Sequence, residues 1–289
     1  MKHVAVIPVI RKEKDDIYTS QTVSFFLKNG AEVWMESIHS EKAYASGAKF
    51  ADGDVLYSGC DLVVALGGDG SILRAAEKAL KYDIPLFGIN LGRLGYMAEI
   101  EKDELYLIDN IYNEKVSIEN RMVLSVDIVR TNGETTHLRE ALNDVVISRG
   151  GYTRSIDIDL YADGRSVRTI RSDGLIFATT TGSTAYSMAA GGSVLDPTLE
   201  CICATPICPI SRYACPTVFS GNSVLEVIHC DDRAESWAIT VDGEEVEPLL
   251  YGERLIIKRS DKTVKMLSVK DEGFFEILNN KISKYELKK

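Results

Sequence analysis

The first hundred residues alternate short apolar runs with stretches of helical spacing. Residues 4–10, 31–35, 62–66 and 85–90 read as strands, because short apolar runs bounded by turn residues suit a sheet covered on both faces. Residues 19–29 carry helical spacing and stop at Gly30, a C-cap. Residues 71–80 have the propensity and spacing of a second helix, with Gly70 or Ser71 as its cap. Alternation of this kind predicts an open parallel sheet with ligands at the C-terminal ends of its strands. Residues 36–58 show no clear pattern.

From Arg121 the period changes to two. Met122, Leu124, Val126 and Ile128 alternate with polar or differently facing positions, as do Ile156, Ile158 and Leu160. Asp163-Gly164 and Asp242-Gly243 are hairpin turns. Further short strands are expected over 224–228, 237–241, 255–258 and 264–269, and residues 279–289 form a helix or a frayed tail. The expected fold is therefore an α/β N-terminal domain with an open parallel sheet, followed by a β-rich, sandwich-like C-terminal domain, α+β overall. No Pro/Gly-rich linker separates the halves, so they are expected to pack closely around a cleft.

The chain has 289 residues, 45% hydrophobic and 26% charged, enough for one large or two medium domains. A net charge of -10 disfavours nucleic acid and anionic membranes as partners. No apolar run is long enough to span a bilayer. The N-terminus lacks the regions of a signal peptide, which points to the cytoplasm. Cys201, Cys203, Cys208 and Cys215 lie close together, but no Cys-x-x-Cys pair or histidine accompanies them, so they read as reduced thiols and not as a metal site.

The chemistry concentrates at Leu66-Gly67-Gly68-Asp69-Gly70-Ser71. A strand, a glycine turn and a helix N-terminus make a phosphate site, because unpaired amides and the positive dipole end converge there. A carboxylate in that turn opposes passive phosphate binding, since two unit charges 4 Å apart repel by about 1 kcal/mol even in water. Asp69 makes sense facing a metal ion or a hydroxyl that attacks phosphorus, which is the pattern of phosphoryl transfer. The third glycine of the dinucleotide fingerprint is missing, and no P-loop motif occurs. A second constellation spans 171–192, with hydroxyls at Thr179, Thr180, Thr181, Ser183, Thr184 and Ser187. No lysine or arginine lies between Arg171 and Arg212, so a phosphate there is gripped by amides and hydroxyls. Asn143-Asp144, at a strand entrance, suits a ribose or base edge, or forms a plain Asx-turn.

The ordered set resembles the NAD kinase family. It comprises Leu66-Gly67-Gly68-Asp69-Gly70, residues 88–96, residues 141–146, Ser172-Asp173-Gly174, Thr181-Gly182-Ser183-Thr184-Ala185-Tyr186-Ser187, Ala190-Gly191-Gly192 and Val241-Asp242-Gly243. The resemblance implies a kinase that phosphorylates the 2′-hydroxyl of the adenosine ribose of NAD, using ATP or polyphosphate with a divalent cation, Mg²⁺ by expectation. It implies an α/β domain over 1–105, a β-rich NAD-binding domain over 106–265, and a tail over 266–289 that returns to the first domain. It also implies a homodimer or homotetramer. Carried over by position, Asp69 is the general base. Gly67, Gly68, Gly70 and Ser71 serve phosphates, with Arg74 beside them. Asn143 and Asp144 hold adenine and ribose, while Arg171, Asp173 and Arg154 serve the nicotinamide end. Thr181, Thr184, Ala185, Tyr186, Ser187, Met188 and Ala189 line the adenosine pocket, and Glu244 contacts NAD. The chain departs from the family at Asp144 (usually Glu), Thr180 (usually Pro), Ala189 (often Ser) and Glu244 (often Gln), which bears on affinity more than on transfer. Two other readings stay open: a different Gly-Gly-Asp-Gly kinase acting on a lipid or sugar phosphate, and a non-catalytic NAD(P) sensor.

Overall fold

The computed structural model describes residues 1–8, 16–92, 95–113, 115–149, 155–231 and 234–286. The chain divides into two units, Met1–Asn120 with Val264–Lys289, and Arg121–Thr263.

The first unit is built on parallel strands. In chain order they are β1 (His3–Pro8), β2 (Glu32–Met35), β3 (Lys49–Phe50), β4 (Leu62–Gly67), β5 (Leu86–Asn90) and β6 (Ile100–Glu101). Helices α1 (Asp16–Lys28), α2 (Asp54–Tyr57) and α3 (Asp69–Lys81) lie between them. The spatial order is β5-β4-β1-β2-β3, with β6 on β5. Every pairing is parallel, with Val4 opposite Leu62 and Val63 opposite Leu86. The order reverses between β1 and β4, the kind of point where open α/β sheets bind ligands beyond the strand ends.

All six residues of β4 are buried, as a strand covered on both faces requires. One face packs Val64, Leu66, Phe87 and Ile89 against Val23 and Phe26 of α1. On α3, Ile72, Ala75, Ala76 and Ala79 are buried, at helical spacing. Helix α1 ends as expected at Gly30, whose φ is +79°. The Gly30 amide donates to Leu27 O and the Ala31 amide to Phe26 O, a Schellman cap. Residues 36–58, without clear pattern in sequence, hold 3₁₀ turns at Ser37–His39 and Ala43–Ala45, then β3 and α2.

The second unit is antiparallel throughout. One sheet contains β7 (Ser117–Val129), β8 (Thr135–Ala141), β10 (Ile156–Ala162), β11 (Arg165–Ser172), β15 (Leu225–Ile228) and β19 (Arg254–Ser268). The other holds β9 (Asp144–Ser148), β12 (Gly174–Ala178), β13 (Cys201–Ile207), β14 (Thr217–Ser220), β16 (Ser236–Val241), β17 (Glu244–Glu245) and β18 (Leu249–Leu250). Their inner faces share one core, in which Leu124, Ile158, Leu160 and Ile257 meet Ile147, Phe177, Ile202, Trp237 and Ile239. Alternating inward positions of two sheets make a sandwich, as the period-two pattern predicts.

The two Asp-Gly hairpins form where expected. Asp163 and Gly164 have φ of 53° and 72°, and Asp242 and Gly243 have 52° and 80°, so both turns are type I′. Residues 255–258 and 264–269, expected as separate strands, belong instead mostly to one strand, β19. The polar residues between them, 259–263, are partly or fully exposed, so the strand runs through them without burying charge. The C-terminal segment is a helix, α5 (Phe274–Glu286), and it begins earlier than the expected 279. Among the described residues no helix is long and apolar enough to cross a membrane.

Phe177 is fully buried at the centre of β12. Phe177→Ala is expected to cost about 3–5 kcal/mol by leaving a cavity. The urea midpoint should fall accordingly, and a midpoint within experimental error of wild type would show that this core is not tightly packed.

Candidate active site

In the first unit, the end of β4 feeds directly into α3. Gly68 is the N-cap and Asp69 the first helical residue, so the helix starts two residues before the expected 71 and no side chain caps it. The Ser71 amide donates to Gly68 O, as does that of Ile72, and Ser71 is buried. Helix geometry leaves the amides of Asp69 and Gly70 without an intrahelical acceptor. Of the residues expected at phosphate, Gly68 and Gly70 are positioned for it, whereas the Ser71 amide is already bonded inside the turn. A Cβ at Gly68 or Gly70 would meet nothing within 4 Å. Neither has positive φ, so neither backbone strain nor packing demands glycine there. The open space suits close approach of a ligand. Arg74 is exposed one turn along α3.

Asp69 does not point freely into water. Its Oδ2 accepts the Tyr96 amide and its Oδ1 the Met97 amide, each at 3.0 Å. Two amide donors fix the carboxylate plane, and each oxygen keeps a lone pair for another partner. Asn90 supports the same corner. Its Oδ1 accepts from the Gly92 amide at 2.8 Å and its Nδ2 donates to Glu101 Oε2 at 2.8 Å. Arg93 and Leu94 of this motif lie outside the described residues.

In the second unit, Asn143-Asp144 and the 179–192 loop come together. The Thr179 amide donates to Asn143 O at 2.9 Å, and the Thr179 hydroxyl donates to Leu142 O at 2.6 Å. A Cβ on Gly182 would lie 2.0 Å from Asn143 O, so only glycine fits there. Most of the hydroxyls counted in sequence hold the loop itself. Ser183 donates to Thr180 O, Thr184 to Thr181 O, Thr180 to Pro197 O, and Ser187 bonds Thr205. Two buried polar atoms remain unpartnered, Asn143 Oδ1 and Thr181 Oγ1. Buried polar groups are normally paired, so this pair marks a place for a polar ligand. Beside them, Ala185 and Met188 are half-buried, and Tyr186 and Ala189 are exposed.

Family models match both units: the N-terminal domain of ATP-NAD kinase over residues 7–116 and the C-terminal domain over 142–269. An NAD kinase of Thermoanaerobacter sp. (strain X514) is 37% identical over 286 residues, 98% of this chain and 99% of that one. An NAD kinase of Ruminiclostridium cellulolyticum is 34% identical over 293 residues, 100% and 99% of the two chains. The chain belongs to the NAD kinase family. Among solved structures, yeast NADH kinase complexed with NADH has TM-score 0.88 at 20% identity, covering 98% of this chain and 88% of that one, a likeness of fold. An Archaeoglobus fulgidus NAD kinase in complex with ATP has TM-score 0.74 at 29% identity, covering 98% and 99%.

Other residues of this NAD kinase expected at the site have protein partners. Asp173 accepts from Arg149 at 2.7 Å, Arg171 pairs with Asp157 at 3.3 Å, and Glu244 pairs with Arg139 at 2.8 Å. Arg154 lies outside the described residues. The cysteines are free thiols, and among the described residues no group of three or more His, Cys, Asp or Glu could hold a metal ion.

The residue that sequence reasoning missed is Asp242. Its side chain reaches back about a hundred positions to accept from the amides of Leu142 (2.8 Å), Asn143 (2.7 Å) and Asp144 (3.1 Å). Its own amide donates to Asp144 O. The Asp-Gly pair signalled a turn, but nothing local signals a carboxylate that clamps three consecutive amides. Burial pushes the Asp144 carboxyl up to about 7, and the Asp242 charge adds to the shift. Asp242 is also raised by burial, while its three amide bonds and Arg139 act against that. Of the two, Asp242 is built to keep the charge.

A raised folded-state value means that Asp144 favours folding below its unfolded value, near 4, and that the benefit is lost as pH climbs to about 7. Asp144→Asn stays neutral throughout. The variant is expected to be more stable than wild type at pH 8 by an amount on the order of a few kcal/mol. The difference should shrink toward pH 5. A thermal-midpoint difference that is flat across this range would refute the shift.

Proposed function

We propose that this kinase transfers the γ-phosphoryl group of ATP to the 2′-hydroxyl of the adenosine ribose of NAD, with Asp69 as general base. The observation that carries the reading is the Asp69 carboxylate at the first turn of α3, fixed by two amide donors beside two amides without intrahelical acceptors. A ribose hydroxyl is a weak nucleophile at neutral pH. A fixed carboxylate can accept its proton as the oxygen attacks phosphorus and the bond to the leaving diphosphate breaks. The adjacent Asp69 and Gly70 amides, at the positive end of the helix dipole, suit the phosphate oxygens. A solved relative of 29% identity in complex with ATP supports ATP as the donor.

Asn143 and Thr181 supply the unpartnered oxygens for adenine or ribose, and Asp144 beside them can donate while protonated. Asp144 is one methylene shorter than the glutamate usual in the family. In this reading it meets the ribose through its proton or a bridging water. A divalent cation fits as an ion carried in on the donor's phosphates, because magnesium usually keeps several waters and takes few protein ligands. When bound it would offset phosphate charge.

Asp69→Asn keeps the shape but removes the base. NADP formation from NAD, ATP and Mg²⁺ is expected to fall by roughly two orders of magnitude or more, the usual scale for general-base loss. One amide bond to residues 96–97 is also lost, at about 1–3 kcal/mol of stability, so calorimetric NAD binding is measured alongside. Turnover within a few-fold of wild type would remove Asp69 from this role. NAD binding with no NADP formed by the wild-type protein would favour a sensor.

A further inference from the structure

Helix α5 turns Phe274, Ile277, Leu278 and Lys281 to one side, at spacings of three, four and seven residues. Leu278 is 6% exposed, and Phe274, Ile277 and Lys281 are partly buried. A lysine on the inward side of a helix is unusual unless something pairs with it. Its Nζ donates to Ala98 O at 3.3 Å. Burial pulls its pKa below the ordinary lysine value. The Glu101, Asp69 and Glu99 carboxylates oppose that pull, and the Lys270 ammonium adds to it.

Ala98 follows the two residues whose amides hold Asp69. The next residue, Glu99, is tied on both sides. Its amide donates to Gly88 O at 3.0 Å, and its Oε1 accepts from the Ser268 hydroxyl (2.8 Å) and the amides of Val269 (2.8 Å) and Lys270 (3.0 Å). The 96–99 segment is thus strung between the glycine turn and the C-terminal part of the chain. Nothing in the transfer chemistry above uses Lys281, yet it is the cation that anchors this segment from α5.

We propose that Lys281 is a positioning residue for phosphoryl transfer: by fixing Ala98 it holds the Tyr96 and Met97 amides on Asp69, and so keeps the carboxylate aimed. The proposal rests on the reading of Asp69 as general base. Small errors in the aim of a catalytic group cost rate with little effect on substrate affinity, so the signature is a split between kcat and KM.

The test compares Lys281→Met, which keeps the length without the charge, with Lys281→Arg, which restores a cation. For Lys281→Met, kcat for NADP formation is expected to fall about tenfold, the scale of one lost charge-assisted hydrogen bond. KM for NAD and ATP should stay within about twofold, and Lys281→Arg should recover most of the rate. Amide hydrogen exchange should quicken about tenfold at Tyr96 and Met97 while the amides of β4 keep wild-type rates. Lys281→Gln replaces Lys281→Met if the latter does not fold. Wild-type kcat, or wild-type exchange at Tyr96 and Met97, overturns the proposal, as does lowered thermal stability alone. Asp69→Asn run in parallel separates the two ideas. If it retains wild-type turnover, the base reading fails, and exchange at Tyr96 and Met97 alone decides whether Lys281 holds the segment.

Discussion

Two amide hydrogen bonds from Tyr96 and Met97 turn Asp69 from a surface aspartate into a fixed group. A carboxylate at a helix N-terminus is stabilised by the dipole wherever it points, so the dipole alone does not aim it. The aim comes from the second segment, which exists in this place because β4, β5 and β6 pair in parallel and set residues 95–99 beside the first turn of α3. Gly95 sits against the Asn90 side chain, where a Cβ would come within 2.9 Å of Cγ. The apolar strands therefore do more than fill a core. Their register decides where two polar hydrogens are delivered.

Much of this architecture is legible locally. The run at 62–66, the C-cap at Gly30 and the two Asp-Gly turns each depend on neighbours within a few residues, and each formed as read. The failures share a cause. Residues 259–263 look like a turn because they are polar, but a strand needs only its ladder partners and tolerates solvated side chains. The 3₁₀ stretch Lys102–Ile111, capped by a Glu101–Glu104 box, carries too little periodicity to announce itself.

The same limit governs the site. Asp69, Asn143 and Asp144 stood out because each sits at a motif of adjacent residues. Asp242 and Lys281 did not, because their partners lie about 100 and 183 positions away. The hydroxyl-rich loop shows the converse error of emphasis. Six hydroxyls suggested a lining, but most of them bond backbone or one another, and Thr181 is the one left with an unpartnered oxygen. Counting polar groups finds a structured loop, and only their satisfaction finds the ligand-facing atom.

The two carboxylate centres use opposite electrostatics. Asp69 is placed where amides, a helix terminus and the Lys281 ammonium all favour the anion, which a proton acceptor needs before the reaction begins. Asp144 is buried beside a second carboxylate that already monopolises the local amide donors, so its neutral form is favoured up to about pH 7. A neutral acid is a hydrogen-bond donor as well as an acceptor. Shortening the family's glutamate by one methylene keeps the acid close to Asp242 and away from solvent, which sustains that neutral state. The substitution thus exchanges reach for donor character, and the chain retains a polar contact suited to a neutral ribose hydroxyl instead of a charged phosphate.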